Sequence, residues 1–203
     1  MNTLNKSHHL VEFVRQTFGE QFGAVLLAGY GEEAAFRELT LNLVDSQGGA
    51  GEGEWQLVIS GNVPSGQDPL VLAALLKLLL LSGAPLTPTL EFNPEEVLSE
   101  LGWPDTPPAR AVIDGAVRKY LGLTYARRMR PPSGMLRGMY ALLVGYERAD
   151  EKHIGGGSET FTYNSVTFHP HFIERLNSSV ITFAGIEFGE LNRTGFIALV
   201  ARR

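Results

Sequence analysis

Few residues in this chain could do covalent or metal chemistry. It contains no cysteine, which removes a disulfide scaffold, a thiolate zinc site and a cysteine nucleophile together. His169-Pro-His171 has the i, i+2 spacing that can bring two imidazoles to one metal, with Glu174 nearby. The proline between them, at an expected strand-to-helix junction, favours a capping or surface role. His8 and His9 adjoin on an expected helix, so they point in different directions. Ser133 and Ser158 have no attendant histidine and acid in a recognisable arrangement. Glu95, Glu96 and Glu100 read as one solvated helix face. The expectation is a protein that is not an enzyme and holds no metal or cofactor.

What remains is charge. The whole chain carries −5, which on its own argues against a nucleic-acid partner. Yet between Thr106 and Met139 stand Arg110, Arg118, Lys119, Arg127, Arg128, Arg130 and Arg137, against Asp114 alone, a local +6. Local field, not total charge, governs approach to a polyanion. A merely solvated basic face is the alternative.

These residues need elements to position them. A chain of 203 residues, 44% hydrophobic and 19% charged, is globular and long enough for a real core. Met1 to Ser7 is polar and is no secretory signal. The longest apolar run, Leu70 to Leu81, contains Lys77 and falls short of the roughly 20 residues of a membrane span. It reads as a buried core helix, started by Asp68-Pro69 and ended by Gly83 and Pro85. The protein is expected to be soluble and cytoplasmic, with no membrane partner.

Upstream, Ser7 can cap a helix carrying Leu10, Phe13, Val14, Thr17 and Phe18. Two alternating strands, 38–44 and 55–60, follow, joined by the glycine-rich 48–53. That loop lacks the lysine and Ser/Thr of a phosphate loop. Downstream come a short strand at 90–93, a helix from Pro94 to Leu101 stopped by Gly102, and a helix from Thr106-Pro107 to about Leu121. Strands at 123–130 and 139–148 are joined by Pro131, Pro132, Ser133 and Gly134. Helix, strand, helix, helix, strand, turn, strand is the order of a winged helix-turn-helix. The fold class is therefore α+β, a winged helix-turn-helix with an added N-terminal helix and β-hairpin and a C-terminal strand/helix extension. Gly155 to Gly157 read as a linker, which divides the chain into 1–152 and 158–203. The second part holds a strand at 160–168, a helix at 170–176 and a mostly apolar stretch at 180–200.

On the helix after Thr106, Ala109, Val112, Ile113, Ala116, Val117 and Tyr120 share one side. The other carries Arg118 beside Ala111 and Gly115, flanked by Arg110 and Lys119. Small residues next to arginines suit entry into a major groove. They equally suit close packing of another helix, and Asp114 on the same face would repel phosphate. Arg127, Arg128 and Arg130 lead into the Pro-Gly turn and Arg137 leaves it. An expected wing with four arginines could straddle a phosphate backbone or minor groove.

The stretches Asp68-Pro-Leu-Val-Leu-Ala-Ala-Leu-Leu-Lys77, Leu90-Glu-Phe-Asn-Pro-Glu-Glu-Val-Leu-Ser-Glu-Leu-Gly-Trp103 and Ala109 to Tyr125 resemble the plasmid replication initiator proteins with winged-helix modules, the replication initiator protein A group. Val166-Thr-Phe-His-Pro-His-Phe-Ile-Glu-Arg-Leu-Asn177 is similar to the segment after their first module. Phe188 to Arg203 is similar to the helix leading into the next. The resemblance covers about two thirds of the chain, in apolar spacing and short phrases. It implies binding to origin repeats in double-stranded DNA, recruitment of host initiator and helicase-loading proteins, and a homodimer. In that family two modules stand in tandem and the first often serves mainly in dimerisation. The chain would then be the N-terminal part of a longer initiator. Two rivals stand beside this: a winged-helix transcription regulator, and a protein–protein dimerisation module that does not read DNA.

Overall fold

A computed structural model describes residues 3–33, 36–44, 54–129, 138–153, 160–195 and 197. The chain opens with helix α1 (Thr3–Leu26), which kinks at Gly19, whose φ of 77° is left-handed. The helix starts four residues before Ser7, so Ser7 is inside it and not its cap. Strands β1 (Phe36–Val44) and β2 (Glu54–Val63) then pair antiparallel.

Helix α2 (Asp68–Leu81) follows, buried at all but three of its fourteen positions. Its apolar run has no polar face to offer water, so it can only be central. It packs on α1 and on the next two helices. Its cap differs from expectation: Gln67 is the N-cap, and Asp68 instead accepts from the Ser65 N–H at 3.0 Å. Strand β3 (Thr89–Phe92) leads into α3 (Pro94–Leu101). Asn93 Oδ1 accepts from the Glu95 N–H at 3.0 Å while the Glu96 carboxylate accepts from the Asn93 N–H at 2.9 Å. This reciprocal cap fixes the helix start, and Gly102 at φ 69° ends it. Thr106 caps α4 (Pro107–Leu121) through the Ala109 N–H.

Beyond α4 the pairing departs from the expected wing. Strand β4 (Thr124–Met129) lies against β2 and against the three-residue β5 (Gly138–Tyr140), completing a sheet of order β1-β2-β4-β5. The second expected strand is thus split at Ala141-Leu142. Its longer part, β6 (Leu143–His153), belongs to another sheet, of order β3-β7-β6, with β7 (Thr160–Phe168) in the middle. Strand alternation tells which face a residue takes but not which strand it pairs with. β2 supplied the longer edge.

The expected linker, Gly155 to Gly157, lies outside the described residues. The strands on either side of it, β6 and β7, pair from Leu143↔Phe168 out to His153↔Thr160. The sheet therefore runs across the expected 152/158 boundary. Helix α5 (Pro170–Asn177) and the hairpin of β8 (Val180–Phe183) and β9 (Ile186–Glu190) close the fold. The hairpin turns on Ala184 and Gly185, at φ 54° and 73°, the two left-handed positions of a tight turn. Phe188 is thus in a strand, not in the expected terminal helix. Phe172, Phe183 and Phe188 meet Phe22 of α1 with ring centroids 4.9–6.0 Å apart. One buried cluster takes in α1, α2, both larger sheets, α5 and the last hairpin.

Candidate nucleic-acid interface

Helix α4 presents its buried side, Ile113, Ala116, Val117 and Tyr120, to the core. It leaves Ala111, Val112 and Arg118 exposed. Burial holds the Tyr120 hydroxyl well above its usual range. Each of the three expected cations on α4 is held by a carboxylate of the same chain. Arg110 makes a bidentate pair with Asp105, at 2.6 and 2.7 Å, and reaches Glu95 at 3.3 Å. The Asp105 hydrogen bonds raise the Arg110 pKa, and the same bonds lower that of Asp105. Arg118 donates to Asp114 one turn earlier at 2.8 Å, which raises its pKa. Lys119 reaches 2.5 Å to Asp68 at the start of α2. Lys119 is therefore turned inward toward α2, away from Arg118, and α4 offers two surface guanidiniums.

Of the expected arginines beyond α4, Arg127 is on β4, half-buried, and donates from Nη1 to the Gly185 carbonyl at 2.9 Å. It ties that sheet to the β8–β9 turn. Arg128 is on the same strand opposite Gln56. Arg130 and Arg137 lie outside the described residues. The arginines after α4 thus begin on the β1-β2-β4-β5 sheet, and the cations of α4 face elsewhere.

What α4 does face is a cleft of about 620 Å³ against the β6–β7 hairpin. Its walls include Pro94, Pro107, Ala111 and Ile113. Its polar groups are Arg110 and Asp105, then Asp114, Tyr146, Arg148 and Asn164. Tyr146 is pushed up to about 12, first by burial and then by its hydrogen bond to Asp114. Asn164, only 4% exposed, donates from Nδ2 to the Tyr146 hydroxyl at 3.4 Å. Its Oδ1 is buried and has no hydrogen-bond partner among the described residues. A chain of polar groups therefore runs Asn164, Tyr146, Asp114, Arg118.

Sequence reasoning passed over Tyr146, Arg148 and Asn164. One signal was there: asparagine is disfavoured in strands, and Asn164 with Ser165 interrupts the apolar alternation of β7. At the other end of β7, His169 Nδ1 accepts from the His171 N–H at 3.2 Å, which makes it the cap of α5. His171 in turn sits 3.4 Å from Glu174. Among the described residues no group of three or more His, Cys, Asp or Glu could hold a metal. No described helix is long and apolar enough to cross a membrane.

No protein-family model matches this chain, and no curated protein matches it. Solved structures do. A crystal structure of selenomethionine derivatives of domains 2 and 3 of RctB matches 82% of this chain with a TM-score of 0.58 and 15% identity. A second crystal structure of RctB domains 2–3 matches 76% of it, with a TM-score of 0.57 and 16% identity. The chain spans 60% and 58% of those two solved chains. At this identity the likeness shows a shared fold.

Proposed function

We propose that the chain is a DNA-binding module of a replication initiator, acting at the origin of a plasmid or secondary replicon in the cytoplasm. The observation that carries this reading is the fold shared with domains 2 and 3 of RctB over 82% of the chain. It agrees with the independent resemblance of the chain's short phrases to winged-helix initiators. In this reading α2, β3, α3, α4, β6 and β7 form the winged helix. Its sheet is β3-β7-β6, α4 is the recognition helix, and β6–β7 takes the part of the wing. Binding, not catalysis, is the activity.

Arg110 and Arg118 act from α4, with Lys119 behind them bracing it against α2. Arg127, Arg128, Arg130 and Arg137 are the further cations that act on the neighbouring phosphates. Origin repeats in duplex DNA, a second copy of the chain and host initiation proteins are the partners. The testing experiment is selection of bound sequences from random duplexes, with molecular mass measured in solution. Enrichment of a repeated motif supports the reading. Recovery of no enriched sequence and no bound duplex at low salt refutes it.

One observation favours a second reading, a protein–protein dimerisation module that does not read DNA. Arg110, Arg118 and Lys119 are all paired internally, so a phosphate must displace a carboxylate to reach the two on the surface. Under that reading the same experiment gives a dimer and no enriched sequence.

A further inference from the structure

The cleft between α4 and the β6–β7 hairpin has a chemistry that a duplex backbone does not use. Its volume, about 620 Å³, is in the range of small-ligand sites. Two acceptors line the cleft: Asn164 Oδ1, buried and without a hydrogen-bond partner among the described residues, and the Asp114 carboxylate, which also accepts from Arg118. The nearest polar neighbour, the Tyr146 hydroxyl, receives the Asn164 Nδ2 and leaves Oδ1 without a partner among the described residues. A buried acceptor left open is costly to fold and is retained where something else completes it. Pro94, Pro107, Ala111 and Ile113 give the cleft apolar walls, and Arg148 and Arg110 give it cations, the latter reached by an anion only in exchange for the Asp105 carboxylate. A ligand that satisfies all of these is flat and apolar in its body, donates hydrogen bonds at one end and is anionic at the other.

We propose that this cleft binds a single unstacked nucleotide, its exocyclic amino group turned in to Asn164 and Asp114 and its phosphate held by Arg110 and Arg148. Adenine and cytosine fit. Thymine does not, because its one N–H donor is flanked by two carbonyl oxygens that would face the acceptors. The nucleotide comes either free or as an unpaired residue of a DNA strand. The second source rests on the DNA-binding reading above; the first does not.

The test titrates the full chain with dAMP, dCMP and dTMP by calorimetry and with an unpaired adenine oligonucleotide by anisotropy. Duplex binding is measured alongside. Saturable binding of dAMP or dCMP, or of the oligonucleotide, is expected, with dTMP at least about tenfold weaker. A free nucleotide that binds as tightly as the strand identifies the free source; binding by the strand alone identifies the other. Asn164→Leu should lose at least about tenfold in this binding without lowering the melting temperature, since the long 3.4 Å bond it gives up to Tyr146 is offset by removal of a buried acceptor that lacks a partner. Ala111→Phe fills the cleft from an exposed position on α4 and should lose binding with every polar group intact. No saturable binding at millimolar concentration overturns the proposal. So does wild-type affinity in both variants, or a lower melting temperature for Asn164→Leu, which would make the amide structural. If duplex binds and no nucleotide does, this inference fails alone; if neither binds, the DNA-binding reading fails with it.

Discussion

The two larger sheets treat polar residues in opposite ways. In β1-β2-β4-β5 the buried positions are apolar or aromatic: Leu43, Leu57, Ile59 and Tyr125. In β3-β7-β6, Asn164 and Ser165 are buried beside Leu90, Phe92, Val166 and Phe168. Helix α4 contacts both sheets, through β2 and through β6. Their arginines divide in the same way. Arg127 of the first sheet ties down the β8–β9 turn, and Arg148 of the second lines the cleft beneath α4. A sheet that only closes a core has no use for a buried amide. The difference marks the second sheet as the one that does more than close a core, while the first buries only apolar and aromatic groups and carries the β4 arginines, with α4 packed against both.

Truncations in the core are the strongest way to break this comparison. Tyr125→Ala removes a fully buried ring packed 5.0 Å from Phe183, and Phe168→Ala removes one from the other sheet. Each should cost about 3–5 kcal/mol. Because one buried cluster spans both sheets, each variant should unfold in urea in a single transition at a lower midpoint. Two transitions would show two independent units. Charge reversal sharpens the comparison next. Arg127→Glu, Arg128→Glu and Arg130→Glu together should abolish duplex binding, and they should also loosen the β8–β9 turn by losing the bond to Gly185. Arg128→Glu with Arg130→Glu alone should weaken duplex binding at least about tenfold with an unchanged melting midpoint. Unchanged affinity at low salt would remove the β4 patch from the interface. The smallest effect is at Tyr146. Its folded pKa lies near 12, above the ordinary 10, so the folded state holds its proton more tightly. The stability this contributes is present below pH 10 and is lost as pH rises toward 12. Tyr146→Phe should reduce that alkaline loss in urea melts at pH 9–12, leaving the shares of Tyr120 and Tyr125. An unaltered alkaline profile would place Tyr146 in water.

Elements fixed by local chemistry were legible in the sequence. Asn93-Pro94 and Gly102 delimit α3, and Thr106-Pro107 starts α4, because caps act within one turn. Pairing partners were not legible. β4 joins β2, far earlier in the chain, and nothing in the alternation of either strand says so. The basic island was visible as a count but not as a surface. The Arg118 pair with Asp114 could be read from i, i+4 spacing, whereas Lys119 meets Asp68 across 51 residues. The cleft is a product of tertiary pairing, so beside Arg110 and Asp114, which were visible as charges on α4, only Asn164 left a trace, as an amide out of place in a strand.

The proposed seat of duplex DNA on α4 is tested most directly by the salt dependence of duplex binding, for the wild type and for Arg110→Glu with Arg118→Glu. Wild-type affinity should fall steeply with salt. The double variant should bind at least about tenfold more weakly, with a log–log slope reduced by about 2, because two phosphates are no longer neutralised. The same slope and the same affinity in both proteins would contradict a duplex seated on α4.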